Sequence, residues 1–337
     1  MAIDAPGPTG PVPATTGLPA TPMAAIVPAQ RALELFDHLD SDGDGRLSHH
    51  ELKDALKVSA ATGRDAATIA TLIGDRHEIG GLVSDGPGIS RLDLVRLAGG
   101  GADKAITETT DDFARADFRA GHITRELFPL GLASVTPAAV KQGLIGDCYF
   151  LSAVAAEAAV HPQALHDMIQ PNKDGSFTVK FATRSVTVPP LTDVAYARGA
   201  GTPQGSWVTV LEAAYNILEP NAEAGGLTGG IRALTGKHST ILPLVGLTGK
   251  DRIRETIAEA QAAGRLMTVS RTWTTTGKET YDLHGGHVFS VMGYDPKTDE
   301  VIVRDPHGRE GPAADGCHRF KTAEFRRLFD LLAVQRP

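Results

Sequence analysis

The sequence predicts an α+β protein in which a small all-α domain precedes a larger domain of helices and strands. An acidic loop at residues 40–51 lies between two segments with apolar residues at helical spacing. Another helical pattern follows Cys148 and ends before Pro162. Residues 287–294 and 301–305 are rich in β-branched and aromatic side chains, which is typical of strands. Helices alone are therefore expected near the N-terminus, and a mixed fold beyond it.

The loop at residues 40–51 reads DSDGDGRLSHHE and fills the key positions of a calcium-binding EF-hand. Carboxylates stand at its first, third, fifth and last positions, glycine stands at the sixth, and the seventh offers a backbone carbonyl. The predicted ligands are Asp40, Asp42, Asp44, Arg46 through its carbonyl, and Glu51. A flexible cage of oxygen ligands suits calcium better than magnesium. We therefore expect this loop to bind Ca²⁺.

A degenerate second hand is expected downstream, because EF-hands usually pair. Aligning Ile89 with Leu47 places Asp93 at the last ligand position of the second loop. The first, third and fifth positions then hold Leu82, Ser84 and Gly86. With so few carboxylates, this loop is expected to support the first hand and to bind calcium weakly or not at all.

Composition divides the chain into four segments. Residues 1–30 are rich in Pro, Ala, Thr and Gly and predict a disordered leader. Residues 31–98 hold the EF-hand pair, and residues 99–121 begin with three glycines and continue as an acidic helical linker. Residues 122–337 form the larger domain.

Charge and cysteine content exclude several classes of protein. A net charge of −7 without a basic cluster argues against nucleic acid as a partner. Two cysteines exclude a disulfide framework and agree with a reducing compartment. The sequence shows no Sec-type signal peptide and no apolar run of the roughly 20 residues that a membrane span needs. We expect a cytoplasmic protein without a membrane span; export by a non-Sec route stays open, and the oligomeric state is not indicated.

Residues 142–151, QGLIGDCYFL, place Cys148 at the start of an apolar helix and shortly after Gln142. A helix N-terminus carries partial positive charge and free N–H groups, which favour a thiolate nucleophile. The Gln142 amide and the Cys148 N–H are expected to bind an oxyanion, a contribution of about 3 kcal/mol per donor. Asp147 is expected to cap the helix and to take no part in the reaction. The alternatives are a passive buried thiol at Cys148 and a surface amide at Gln142.

A thiol nucleophile needs an imidazole, and His287 is the preferred candidate among the 12 histidines. It begins a β-rich run, HVFSVMGY, and follows Cys148 within the separation of about 130–150 residues that papain-like architectures show. Two glycines before it let the backbone approach a substrate. His284, with Asp282 as its partner, is the alternative.

A third group should orient the imidazole, and Asp305 stands at the end of the next predicted strand, before Pro306. Its carboxylate is expected to accept the Nδ1–H of His287, fix the tautomer and stabilise the imidazolium. The alternative is an aspartate that only forms a turn before proline.

These motifs resemble the catalytic domain of the calpains, which are papain-like intracellular cysteine proteases. The resemblance covers residues 122–337 and rests on five segments: 142–151, His287 with the aromatic-Ser-Val that follows, RDPHG at 304–308, WVTVLEAAY at 207–215, and 320–325. It implies a papain-like domain of two lobes. The catalytic triad that the resemblance implies is Cys148, His287 and Asp305, with Gln142 in the oxyanion site.

The chain departs from the family pattern at two positions. Calpains carry Asn where this chain has Asp305, and a carboxylate is able to orient the imidazole as well. The family tryptophan that shields this hydrogen bond is replaced by His307, so the shield is expected to be weaker or built differently.

The resemblance implies a cysteine endopeptidase that cuts protein substrates through an acyl-enzyme and carries an EF-hand for Ca²⁺. Three alternatives remain. A transglutaminase-like acyltransferase uses the same chemistry with an amine in place of water. A catalytically dead calcium-binding interaction protein binds Ca²⁺ without cleavage, and a plain interaction protein does neither.

Overall fold

The computed structural model describes residues 22–57, 60–83, 86–101, 103–220, 222–246, 248–272, 283, 285–308 and 316–337. The helices are α1 (Pro22–Leu39), α2 (His49–Ala55), α3 (Gly63–Gly74), α4 (Arg76–Gly80), α5 (Arg91–Ala98), α6 (Lys104–Gly121), α7 (Cys148–Val160), α8 (Pro162–Met168), α9 (Asp193–Arg198), α10 (Trp207–Leu218), α11 (Gly229–Thr235), α12 (Lys250–Ala262) and α13 (Thr322–Leu328). The strands are β1 (Arg46–Leu47), β2 (Ile89–Ser90), β3 (Ile169–Pro171), β4 (Phe177–Lys180), β5 (Ser185–Val188), β6 (Ser239–Pro243), β7 (Met267–Arg271), β8 (His287–Asp295), β9 (Glu300–Arg304), β10 (Cys317–Lys321) and β11 (Leu331–Gln335). This arrangement confirms the predicted α+β class.

The N-terminal module contains two helix-loop-helix units joined by a short antiparallel ladder. In this ladder β1 pairs with β2, and Leu47 lies opposite Ile89, the alignment on which the sequence paired the two loops. Ser48 and Ser90 begin α2 and α5 with matching capping boxes, in which each serine and the acidic residue three positions later bond to one another's backbone. The two units therefore share one ladder and the same capping geometry.

Two segments of the predicted organisation differ in the structure. Helix α1 begins at Pro22, so residues 22–30 are helical and not part of a disordered leader, while residues 1–21 lie outside the described residues. Helix α6, predicted as a linker, packs on α3 and buries Ile106 and Phe113 in the core of the N-terminal module. Both segments gain order from apolar contacts with other helices, which a composition argument does not register.

The larger domain has two lobes. The first surrounds α7 with α8, α10, α11 and the antiparallel sheet β3-β4-β5. Its core includes Phe150 of α7, whose ring stacks on Tyr215 of α10 at 3.8 Å between centroids. The second lobe is a six-stranded antiparallel sheet of order β10-β9-β8-β7-β11-β6, with α12 and α13 packed on it. The papain-like division into a helical and a sheet lobe is thus confirmed.

Helix α7 and strand β8 join the two lobes through two buried hydrogen bonds. The Ser152 hydroxyl donates to the Val288 carbonyl at 2.8 Å, and the Ser290 hydroxyl donates to the Ser152 carbonyl at 2.8 Å. The N-terminus of the helix therefore faces the start of the strand.

Helix α9 connects the larger domain to the N-terminal module. Val194 and Ala197 belong to the apolar core of that module, and the Thr192 hydroxyl before the helix donates to the Leu56 carbonyl at 2.6 Å. The two units therefore share a packed interface. Within the described residues, none of the helices combines the length and apolarity needed to span a bilayer.

We predict that Phe150→Ala lowers the free energy of unfolding by about 3–5 kcal/mol, because it empties a fully buried position against Tyr215. Urea denaturation measures this loss. Val160→Ala is the matched control, since Val160 lies in the same helix but is 41% exposed. An equal loss for the two variants would contradict the prediction.

Candidate active site

Cys148 is the first residue of α7, and its partly buried thiol faces the start of β8. Burial raises the pKa of this thiol, and the charge of Asp305 acts in the same direction. Hydrogen bonds to the sulfur from the backbone of Val288 and Tyr149 oppose that shift but do not cancel it. The free N–H groups at the start of the helix thus lower the pKa of this thiol, as expected, but burial has the larger effect.

His287 is the first residue of β8 and is 6% exposed. Its Nε2 lies 3.0 Å from Oδ1 of Asp305. The sequence predicted Nδ1 in this contact, but the ring is turned the other way. Nδ1 is left as the nitrogen that can take a proton from a thiol.

Asp305 follows β9, is 1% exposed, and gathers three donors on a single oxygen. Besides His287, the backbone N–H of His307 reaches Oδ1 at 2.8 Å, and Nδ1 of His307 lies 3.2 Å from it. Burial alone would raise the pKa of Asp305, but the hydrogen bonds from His287 and His307 hold it well below its usual range. Asp305 is therefore an ionised carboxylate that holds two imidazoles.

His307 covers the contact between His287 and Asp305. Its ring stacks on that of His287 with centroids 4.7 Å apart and planes inclined by 20°. Phe289 contacts the His287 ring edge-on at 4.7 Å. The shield that the family builds from tryptophan is thus built here from a second imidazole that also donates to the carboxylate.

Gln142 is 8% exposed and is not a surface amide. Its Nε2 donates to the Ile145 carbonyl at 2.7 Å, which uses one of the two amide hydrogens. Its backbone N–H donates to the Pro306 carbonyl at 2.8 Å. The loop that carries Gln142 is therefore bonded directly to the segment that carries Asp305.

Gly143 is required by the close approach of two chain segments. The neighbouring Leu144 N–H donates to the Arg198 carbonyl at 2.8 Å. A Cβ on residue 143 would lie 2.1 Å from that carbonyl oxygen and 2.4 Å from the oxygen of Gly199. Only glycine fits between the Gln142 loop and the end of α9.

Asp147 occupies the N-cap position of α7, but its side chain makes no capping hydrogen bond. The expected side-chain cap is therefore wrong. The backbone at Asp147 has φ −117° and ψ 33°, whereas a capping side chain needs an extended residue. Burial, the charge of Glu212 and that of Cys148 raise the pKa of this fully buried carboxyl.

Glu212 of α10 is a buried acid near Asp147 that the sequence did not single out. It is 1% exposed, and its Oε2 accepts the Ala200 N–H at 2.8 Å. Burial raises the pKa of Glu212 to about 7. Two buried carboxyls, Asp147 and Glu212, thus lie near the start of α7. An acidic residue among the apolar residues of α10 was the feature of the sequence that could have indicated Glu212.

The EF-hand loop brings together Asp40, Asp42 and Glu51, whose ligand atoms all lie within 4.8 Å of one another. Oδ1 of Asp40 is buried and has no hydrogen-bond partner within the described part of the chain. The Asp44 carboxylate instead accepts the Arg46 N–H at 2.8 Å. These residues fit a cation, because a buried anionic oxygen without a donor is costly unless an ion occupies the loop.

Glu51 is held over this loop by donors on both of its oxygens. Oε1 accepts the Ser41 N–H at 2.7 Å, and Oε2 accepts the Ser48 N–H at 2.9 Å. Burial alone would raise the pKa of Glu51, but these hydrogen bonds lower it to about 2. The last ligand position is therefore charged across the physiological pH range.

Asp93 of the second loop is held by backbone donors in the same way as Glu51. Asp93, at its last ligand position, accepts the Val83 N–H at 3.0 Å and the Ser90 N–H at 2.8 Å. Ser84 of this loop lies outside the described residues, as do Asp282 and His284, the alternative pair to His287.

We predict that Gly143→Ala displaces the Gln142 loop and destabilises the protein by about 1–3 kcal/mol, since a Cβ there overlaps backbone oxygens. The thermal midpoint and the rate at which iodoacetamide alkylates Cys148 both report the change. The matched control is Gly146→Ala, because a Cβ at that glycine meets no atom closer than 4.0 Å. Parent-like values for Gly143→Ala would show that the loop accommodates a side chain.

Comparison with protein families agrees with this geometry. Residues 117–324 match the calpain family cysteine protease, and residues 31–63 match an EF-hand domain. A search of curated proteins finds no match. The first match spans more than half of the 337 residues and includes every segment of the candidate site. The chain therefore belongs to the calpain family of cysteine proteases.

Proposed function

We propose that the chain is a cysteine endopeptidase that hydrolyses protein substrates through an acyl-enzyme. The observation that carries the proposal is the placement of His287. Its Nε2 contacts an ionised Asp305, and the next residue, Val288, accepts a hydrogen bond from Ser152 of the helix that begins with Cys148. The proposed nucleophile, base and orienting carboxylate therefore lie on elements that are packed together at the junction of the two lobes.

The reaction begins with transfer of the thiol proton to Nδ1 of His287. This transfer is needed because burial raises the pKa of Cys148, so the helix terminus does not ionise it unaided. Asp305 stays charged and stabilises the imidazolium through Nε2. The ion pair of thiolate and imidazolium is the attacking form.

The sulfur then adds to the peptide carbonyl carbon, and the carbonyl oxygen becomes an oxyanion. Its donors are the second amide hydrogen of Gln142 and the N–H of Cys148, which α7 does not use because it belongs to the first residue of the helix. As the C–N bond breaks, His287 gives its proton to the leaving amine and a thioester remains. Water, deprotonated by His287, hydrolyses the thioester and restores the thiol.

Calcium binding belongs to the same proposal. Asp40, Asp42 and Glu51 would hold the ion through side-chain oxygens, with Asp44 and the Arg46 carbonyl completing the loop ligands. Bound calcium would neutralise the clustered carboxylates of this loop. The hydrogen bonds from Ser41 and Ser48 keep Glu51 aimed at the loop.

We predict that Cys148→Ala abolishes cleavage of an unfolded protein substrate, while His287→Ala lowers the rate by about 10²- to 10⁴-fold. Asp305→Asn is expected to stay within about tenfold of the parent, because an amide oxygen also accepts the Nε2–H of His287. Gel digestion with added calcium and with a chelator measures all of these rates.

The matched control is Cys317→Ala, which removes the other thiol, located in β10, and should cleave like the parent. Cleavage by Cys148→Ala would place the nucleophile elsewhere. Incorporation of a labelled amine without cleavage would instead identify an acyltransferase. A loss in Asp305→Asn as large as that in His287→Ala would mean that the negative charge itself is required.

For the EF-hand we predict that Glu51→Gln weakens calcium binding at least about tenfold, because it removes a bidentate anionic ligand. Isothermal titration calorimetry measures the affinity. Glu78→Gln serves as the control, since Glu78 is an exposed acid of the same module outside the loop. Equal affinities for the parent and Glu51→Gln would exclude the loop as the calcium site.

A further inference from the structure

A cavity of about 880 Å³ opens beside the candidate active site. Gln142 and His307 form its inner wall, the loop at residues 200–205 forms a second wall, and α6 forms the outer wall. Arg115 of that outer wall lies before residues 117–324, which match the protease family. The N-terminal part of this chain therefore contributes to a cavity next to the catalytic groups.

The described residues that line this cavity include several cations and no acid. The cations are Arg115, Arg119, Lys141 and Arg304, and the histidines are His122 and His307. The protein as a whole carries a net charge of −7. A cationic recess in an anionic protein concentrates negatively charged groups of a ligand.

The surrounding acids do not neutralise all of these cations. Asp112 pairs with Arg115, Glu212 lies near Arg119, and Asp305 is occupied by two histidines. Lys141, an exposed residue, lies against Gly308 and has no ion-pair partner within the described residues. Its ammonium group is therefore positioned to meet a ligand in the cavity.

The Arg119 side chain, unlike that of Lys141, is held by a hydrogen bond to the backbone. Its Nε donates to the Ala197 carbonyl at 3.0 Å, and its Nη2 is buried without a hydrogen-bond partner within the described part of the chain. Burial lowers the pKa of Arg119 to about 10, so the group keeps its charge at neutral pH. A buried guanidinium nitrogen that lacks an acceptor favours an anionic ligand.

The position of the cavity indicates which part of a substrate it receives. The leaving amine takes its proton from His287, and His307 stacks on that ring at 4.7 Å. The polypeptide on the amine side of the cut bond must therefore pass His307, which lines the cavity.

We propose that this cavity binds acidic side chains of the substrate on the C-terminal side of the scissile bond. The inference rests on the proposed endopeptidase function and adds a substrate class to it. Phe118, Ile123 and Tyr196 add apolar surface to the cavity, against which the aliphatic part of a Glu side chain would pack.

Internally quenched peptides that differ only after the cut bond test this proposal. Three versions carry Glu, Gln or Lys at the two positions that follow it. The parent should cleave the Glu peptide about tenfold more efficiently than the Lys peptide, with most of the difference in KM and a smaller ratio at high salt. Equal kcat/KM for the three peptides would overturn the inference while leaving the endopeptidase function intact.

Variants of Lys141 supply the second comparison. Lys141→Gln should reduce the ratio between the Glu and Lys peptides, and Lys141→Glu should reduce it further or invert it. Lys173→Glu is the matched control, because Lys173 is an exposed lysine between β3 and β4, outside the cavity lining. The same reduction in Lys173→Glu would assign the preference to net charge and overturn the proposal.

A binding measurement separates this inference from the proposed function. The Cys148→Ala protein is titrated with fluorescently labelled versions of the three peptides, and anisotropy gives their affinities without any cleavage. Tighter binding of the Glu peptide supports the cavity assignment even if the parent cleaves nothing, a result that would reject only the endopeptidase function. Equal binding of all three peptides rejects the cavity assignment.

Discussion

The contact between α7 and β8 is the interaction on which the candidate site depends. The Ser152 hydroxyl donates to the Val288 carbonyl, and the Ser290 hydroxyl donates to the Ser152 carbonyl, at 2.8 Å each. Losing one partner would leave an unsatisfied polar group in the interior, at a cost of about 1–3 kcal/mol. These bonds fix both the distance and the rotation of the helix against the strand. Cys148 at the head of the helix and His287 at the head of the strand are positioned together as a result.

The loop before Cys148 is constrained from both sides in a similar way. Gln142 is bonded to Pro306, and Leu144 is bonded to Arg198 at the end of α9. Helix α9 itself contributes Val194 to the apolar core of the N-terminal module. One short helix therefore contacts both the EF-hand module and the loop that carries Gln142.

Local patterns predicted the elements that carry the chemistry, and burial accounts for the errors. The apolar spacing after Cys148 and the β-rich run at His287 located α7 and β8, because these patterns report the buried face of each element. The C-terminal end of the leader and the role of α6 were mispredicted. Helices α1 and α6 are ordered because they pack on other helices. The Asp147 cap was mispredicted because the backbone there is not extended, and burial raises the pKa of the Cys148 thiol by more than the free N–H groups of the helix start lower it.

The sequence by itself determined which chemical groups are present and in what order, because motifs such as the EF-hand loop and the segment around Cys148 are contiguous in the chain. Only the tertiary structure decided that Nε2 of His287 faces Asp305, that His307 stacks on that ring, and that Glu212 lies near Asp147. It also decided that α6 closes a cationic cavity beside Gln142. These relations join residues far apart in the chain, and their geometry follows from how the lobes and the N-terminal module pack, which no local pattern encodes.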